Sequence, residues 1–194
     1  IKFYHLMYTQ LLDHDVILSR TGYTGELGFE IYLRNEDVAM LWEILLSSSI
    51  DVYPIGLAAR DTLRLEKGFC LYGNDIDETT SPLEAGLGWI TDLSKDFIGS
   101  NKLLEQKTKG VSRSLVGIEL IDKGIARKGH IILNENGSQI GHITSGTMSP
   151  TLNKAIAIGY LSSDFVSSSK EDDIFVQVRK RIIRSRVVTL PFVR

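Results

Sequence analysis

Apolar residues recur at helical spacing in the first part of the 194-residue chain and in short glycine-broken runs in the last part. The change falls near residues 108–114. Val38, Leu41, Trp42 and Leu45 predict a helix over 35–47, opened by Asn35 as a cap, with Glu36 and Asp37 suited to the N-terminal dipole and Trp42 in the core. Leu57, Ala58, Leu63 and Leu65 predict a second helix, preceded by Pro54 and Gly56 and closed by a left-handed stop at Gly68, with Arg60 and Arg64 on one face. A third runs over about 100–107, with Leu103 and Leu104 facing in and Gly110 as its stop. Ahead of the helices, Val16-Ile17-Leu18 suits a short buried strand, and 29–33 reads as a second strand.

The last part is strand-like. Runs at 115–120, 129–133, 139–144, 155–160, 175–178 and 187–189 are punctuated by Asn136-Gly137 and Ser149-Pro150, a spacing that implies a small antiparallel barrel or sandwich. The expected fold class is α+β, with a mixed region over 1–110 and a small antiparallel β-barrel over 111–194.

Composition narrows the function classes. At 43% hydrophobic and 24% charged residues the chain is globular, and a net charge of -2 gives no pull on nucleic acid. Arg179, Lys180, Arg181, Arg184 and Arg186 form a basic run, but no aromatic residues interleave them, so a solvated hairpin is expected and no nucleic-acid partner. No apolar run approaches the ~20 residues needed to span a bilayer, so no membrane partner is expected. The single Cys70 rules out an intrachain disulfide and fits a reducing compartment. His5 and His14 have no partner at ligand spacing, so no metal is expected. The opening IKFYHLMYTQ has neither an initiator Met nor a signal pattern and reads as starting inside a longer chain.

Two stretches carry the candidate chemistry. In SRTGYTGELGFEIYL, Gly22, Gly25 and Gly28 fall at every third position; taken alone, this is a tight turn feeding a strand with Glu30 toward solvent. In RDTLRLEKGFCLYGNDIDETTSPLEAGLGW, the carboxylates Asp75, Asp77, Glu78 and Glu84 crowd a loop, where turn chemistry and solvation account for them. Taken alone, Arg60 is an ion pair on a helix surface and Trp89 fills core, while Arg64 and Asp61 suit structural pairing.

Together GYTGELGFE and ARDTLRLEKGFCLYGNDIDETTSPLEAGLGW closely resemble the glycine cleavage system T protein, the aminomethyltransferase family, and ENGSQIGHITSGTMSP resembles its C-terminal barrel. The resemblance covers essentially the whole chain and implies the C-terminal part of a folate-binding α+β domain followed by that barrel. It implies tetrahydrofolate as the one-carbon acceptor, with Tyr23, Glu30, Arg60 and Trp89 as its contacts, and the lipoylated H protein as partner. A carboxylate at Glu30 suits the adjacent amino group and ring N–H of a pterin, an arginine suits acceptor atoms, and an indole stacks on a flat heterocycle. Arg127 matches an arginine the family carries, a candidate contact across domains. The family's catalytic aspartate belongs to an N-terminal portion absent here, so no residue of this chain is assigned a catalytic role and the chain by itself is expected to be inactive. The alternative is a folate-binding tail or docking module like those of dimethylglycine and sarcosine dehydrogenases. A bacterial cytoplasm is expected over a mitochondrial matrix, because no targeting remnant is visible.

Overall fold

The computed structural model describes residues 1–168 and 173–194. Two compact units divide inside a helix, at Ile1–Arg64 and Leu65–Arg194.

The first unit is built on an antiparallel sheet in the order β1 (Leu6–Leu11), β2 (His14–Ser19), β3 (Glu30–Tyr32). Leu11 pairs with His14, so β1 and β2 are joined by Leu12 and Asp13 alone, at φ 53° and 66°. Two successive left-handed residues are what a two-residue hairpin turn requires. Helix α1 (Val38–Leu46) follows a 3₁₀ turn over Asn35–Asp37. Asn35 does not cap it; no side chain bonds the first amides, and the Asp37 carboxylate instead meets His14 Nδ1 at 2.9 Å, tying the helix start to β2. Only Leu41 of α1 is buried, and Trp42, expected in the core, is 50% exposed. A unit of this size has too little interior to cover a helix whose apolar residues run almost all the way round it.

Helix α2 (Leu57–Glu66) forms where expected, and Gly68 takes the left-handed conformation at φ 72°. The anticipated pairing holds: Arg64 donates from Nε and Nη2 to Asp61 Oδ1, both at 2.7 Å.

The second unit is a closed six-stranded antiparallel barrel. Its strands are β4 (Arg113–Leu120), β5 (Ile131–Leu133), β6 (Gln139–Ser149), β7 (Lys154–Ser162), β8 (Ile174–Val178) and β9 (Arg181–Val188), in the order β4-β7-β6-β5-β8-β9 with β9 returning to β4. Helix α3 (Ser100–Lys109) precedes it and α4 (Ser163–Ser168) leaves β7. On α3, Leu103 is half-buried but Leu104, expected inward, is 42% exposed.

Strand β7 explains its own sequence. Ala155, Ala157 and Leu161 join the main core with Ile118, Ile132, Ile143, Ile174, Val176 and Ile183, while Ile156 and Ile158 pack in a second cluster with Leu65. Both faces are covered, so the run is apolar throughout rather than alternating. Strand β6 continues to Ser149, well past the expected end at Thr144, with its register shifting between Ile143 and Ser145. The basic run lies on the β8–β9 hairpin, and three of its five side chains have partners among the described residues: Arg186 meets Glu119 at 3.2 Å, Arg184 meets Asp173 at 3.7 Å, and Arg181 Nη2 donates to the Lys123 carbonyl at 2.9 Å.

Candidate functional site

The glycine loop begins and ends on one strand pair. Ser19, the last residue of β2, pairs with Glu30, the first of β3, so residues 20–29 leave and re-enter the sheet at the same rung. Gly25 turns the loop at φ 76°. Two rungs along, Ile17 pairs with Tyr32, and side chains two apart on a strand share a face, so Ser19, Glu30, Ile17 and Tyr32 point the same way. Tyr8 joins them through its pairing with Ile17.

Within that geometry the Thr21 hydroxyl donates to Glu30 Oε2, and Ser19 Oγ lies 2.9 Å from Thr21 Oγ1. Glu30 is exposed, as the plain strand reading expects, yet its carboxylate is tethered. The charge reaches Tyr32: first the Glu30 carboxylate, then burial and a hydrogen bond to it, push the Tyr32 phenol above its ordinary range. A hollow of about 640 Å³ opens beside this face, lined by Tyr8, Asp15, Ile17, Tyr32 and Arg34 among others.

Tyr23 sits on the loop, and the Arg60 guanidinium lies over its ring at 4.5 Å from the centroid. Arg60 therefore stacks on an aromatic face instead of forming the surface ion pair its sequence position suggests, and the planar cation keeps its hydrogen-bonding edge available. Three of the four sequence-derived candidates, Tyr23, Glu30 and Arg60, thus belong to the first unit, two of them in direct contact. Trp89 belongs to the second unit, in a 3₁₀ turn over Gly88–Ile90, and is 77% exposed rather than filling core.

The acidic stretch divides by burial. Asp77 and Glu78 are exposed, and Asp77 is held below its usual range by side-chain and backbone hydrogen bonds from Thr79. Asp75 and Glu84 are buried, against the expectation of solvated loop carboxylates. Asp75 Oδ2 accepts from Leu71 N at 2.9 Å and Ser145 Oγ at 3.0 Å, and Oδ1 accepts from Thr144 Oγ1. The Tyr160 hydroxyl donates to the Asp75 carbonyl at 2.9 Å, and burial pushes that phenol far above its ordinary range. Glu84 accepts from Ser81 N at 3.0 Å while Ser81 Oγ accepts from Glu84 N at 3.2 Å, a reciprocal capping arrangement, and Arg113 Nε adds a 3.3 Å ion pair. These two carboxylates fasten the LYGND and TSPLE turns to the barrel. Arg127 bonds the Gly146 carbonyl, and Lys128 Nζ reaches the Gly73 carbonyl at 2.5 Å.

Sequence reasoning missed Ser19, Thr21 and the burial of Asp75. The signal for the first two is two hydroxyl residues two apart, just before the glycine loop. Among the described residues no group of three or more His, Cys, Asp and Glu is placed to hold a metal ion, and no helix is long and apolar enough to cross a membrane.

Comparison with known proteins bears on the same segments. Residues 1–95 match the GCVT N-terminal domain, and residues 113–194 match the glycine cleavage T-protein C-terminal barrel domain. The chain belongs to the glycine cleavage T-protein family. It is 51% identical over 180 residues to an aminomethyltransferase of Flavobacterium psychrophilum, covering 92% of this chain and 49% of that protein. It is 50% identical over 196 residues to one of Halothermothrix orenii, covering 100% of this chain and 54% of the other. The chain thus spans about half the length of the curated relatives it matches. The crystal structure of the glycine cleavage system aminomethyltransferase T from Bartonella henselae superposes on it with a TM-score of 0.90 at 36% identity, over 100% of this chain and 53% of that one. The α+β region followed by an antiparallel barrel is therefore the family's architecture.

Proposed function

We propose that this chain supplies the folate-binding loop and the barrel of a tetrahydrofolate-dependent aminomethyltransferase of the glycine cleavage system. In that reaction tetrahydrofolate attacks through N5 the aminomethyl group carried on a dihydrolipoyl sulfur of the H protein. The methylene group passes to N5 and N10, ammonia leaves, and the free dithiol remains. The substrates hold the reacting atoms, so the protein contributes orientation and a fixed electrostatic environment.

The observation that carries this reading is Glu30 at the mouth of the glycine loop, its carboxylate tethered by Thr21, on the unit that also sets Arg60 over Tyr23. A carboxylate accepts from a pterin's amino group and ring N–H together, as no neutral acceptor does with equal strength. Arg60 offers a rigid donor edge, and Tyr23 fixes its plane. Trp89 is a fourth candidate on its own exposed indole. No residue of this chain is assigned the catalytic role, and the 194-residue chain by itself is not expected to turn over. The lipoylated H protein is the proposed partner, with a bacterial cytoplasm as the proposed setting. The functional division we propose lies at 110/111, supported by α3 ending at Gly110 with φ 88° and β4 starting at Arg113. Relatives that match along most of this chain are aminomethyltransferases, which disfavours the dehydrogenase-tail alternative.

Calorimetric titration of the full-length protein with tetrahydrofolate tests the reading. Glu30→Ala and Arg60→Ala should each weaken binding by about 1.5–3 kcal/mol, the range of a charged hydrogen bond. Unchanged affinity in both folded variants would remove the pterin from this face.

A further inference from the structure

The tether on Glu30 has a direction. An ionised carboxylate only accepts, so Thr21 must spend its single hydroxyl proton on Glu30 Oε2. Thr21 Oγ1 then faces Ser19 Oγ at 2.9 Å as an acceptor, and Ser19 is the donor of that pair. The result is a one-way chain, Ser19 to Thr21 to Glu30, in which each bond polarises the next.

Its anchor is rigid where its end is not. Ser19 is buried, terminates β2 and is the strand partner of Glu30, whereas the Glu30 side chain is exposed and its other hydrogen-bond partner, the Tyr32 phenol, is itself exposed. We propose that Thr21, backed by Ser19, is the positioning residue for Glu30: it holds the carboxylate in one orientation before a ligand arrives, so that the carboxylate meets paired N–H donors without first being ordered. The proposal deepens the folate reading above and rests on it for the identity of the ligand, not for the tether itself. Carboxylate oxygens carry about four lone-pair sites between them, so the Thr21 bond still leaves both oxygens able to accept. The same hydroxyl closes the base of the 20–29 loop, because it bonds across from the loop's second residue to the strand on which the loop ends.

The test uses the full-length protein with Thr21→Val, which keeps shape and removes the hydroxyl, and Thr21→Ser, which keeps the hydroxyl. Glu30→Gln and the Thr21→Val/Glu30→Gln double variant complete the set. Tetrahydrofolate affinity should fall about tenfold in Thr21→Val and recover to within about twofold in Thr21→Ser, the size of one hydrogen bond to a charged group. The double variant should bind no more weakly than Glu30→Gln alone, since the hydroxyl acts only through that carboxylate. A Thr21→Val loss that persists undiminished on the Glu30→Gln background would overturn the inference.

A second arm needs no folate. Tyr32 senses the Glu30 charge, so its phenol titration, followed by ring NMR signals, reports where the carboxylate sits. Glu30→Gln should lower the midpoint; Thr21→Val should move it from the wild-type value, and Thr21→Ser should leave it there. If Glu30→Gln moves Tyr32 and Thr21→Val does not, Thr21 holds nothing and the positioning role is gone. If Tyr32 responds as expected while Glu30→Gln leaves folate affinity intact, the tether stands and the folate reading of Glu30 falls.

Discussion

Replacing Asp75 separates a buried acceptor from a loop carboxylate that merely happens to be covered. The side chain is 1% exposed and takes two donors on Oδ2, the Leu71 amide at 2.9 Å and the Ser145 hydroxyl at 3.0 Å. On Oδ1 it takes Thr144, whose hydroxyl also has the Ile158 carbonyl within 3.1 Å. Asp75→Ala strands the two Oδ2 donors, while Thr144 turns to Ile158. Buried donors left unpaired cost about 1–3 kcal/mol each, and the hydroxyl can rotate where the amide cannot, so the expected loss is about 2–4 kcal/mol. At roughly 3–4 °C per kcal/mol for a unit of this size, Tm should fall by roughly 6–16 °C. Asp75→Asn behaves differently. Its carbonyl oxygen fits the Oδ2 position, one N–H of its amide fits the Oδ1 position and donates to Thr144 Oγ1, and Thr144 donates to Ile158, so the donors on Oδ2 keep their acceptor and the loss should be smaller than for Ala by about 1–2 kcal/mol. The Tyr160 bond goes to the Asp75 backbone carbonyl and survives both changes, so the difference belongs to the side chain. Urea and thermal denaturation of the two variants read it. Equal losses for Ala and Asn would mean that the converging donors are not what Asp75 is for.

Two further outcomes follow from the barrel. Burial alone would raise the Glu119 carboxyl, but hydrogen bonds and charge from Lys154 and Arg186 outweigh it and hold the group below its ordinary range. Its stabilisation is present above the unfolded value near pH 4.3 and is lost as pH falls through the lower folded value, so Glu119→Gln should flatten the acid side of a Tm–pH curve between about pH 5 and 3; superimposable curves would show that the triad contributes nothing. A Cβ on Gly159 would stand 2.5 Å from the His142 carbonyl oxygen, where the β6–β7 backbones approach, so Gly159→Ala should cost about 2–3 kcal/mol by urea denaturation, whereas Gly56→Ala, with open space at its Cβ, should stay within about 0.5 kcal/mol. Equal stability of the two would place the β6–β7 backbones farther apart.

What the sequence made legible, and what it hid, follows from the range of the physics involved. Helix α2 and its stop at Gly68 were readable because a 3.6-residue period and a left-handed glycine act within one turn of chain. The barrel was readable because six short apolar runs with turn signals leave few alternatives to a closed or stacked antiparallel sheet. Periodicity shows that a face is apolar but not what covers it, which is why Trp42 and Leu104, placed inside by spacing, lie on the surface. Tyr23, Glu30, Arg60 and Trp89 were picked out through resemblance, since their plain readings as a turn residue, a solvent-facing glutamate, an ion pair and core filling are all locally adequate. Asp75 was the harder case: its hydroxyl partners Thr144 and Ser145 lie 69 and 70 residues away, and nothing in GNDID distinguishes an aspartate that bonds its own turn from one that bonds a distant strand. Thr21 lies nine residues from Glu30 and was missed for a different reason. Its partner is set by the strand register, Ser19 opposite Glu30, and a hydroxyl just before a glycine loop becomes a tether only once that rung is known. Where a carboxylate's role depends on register, pairing must be settled before chemistry can be assigned.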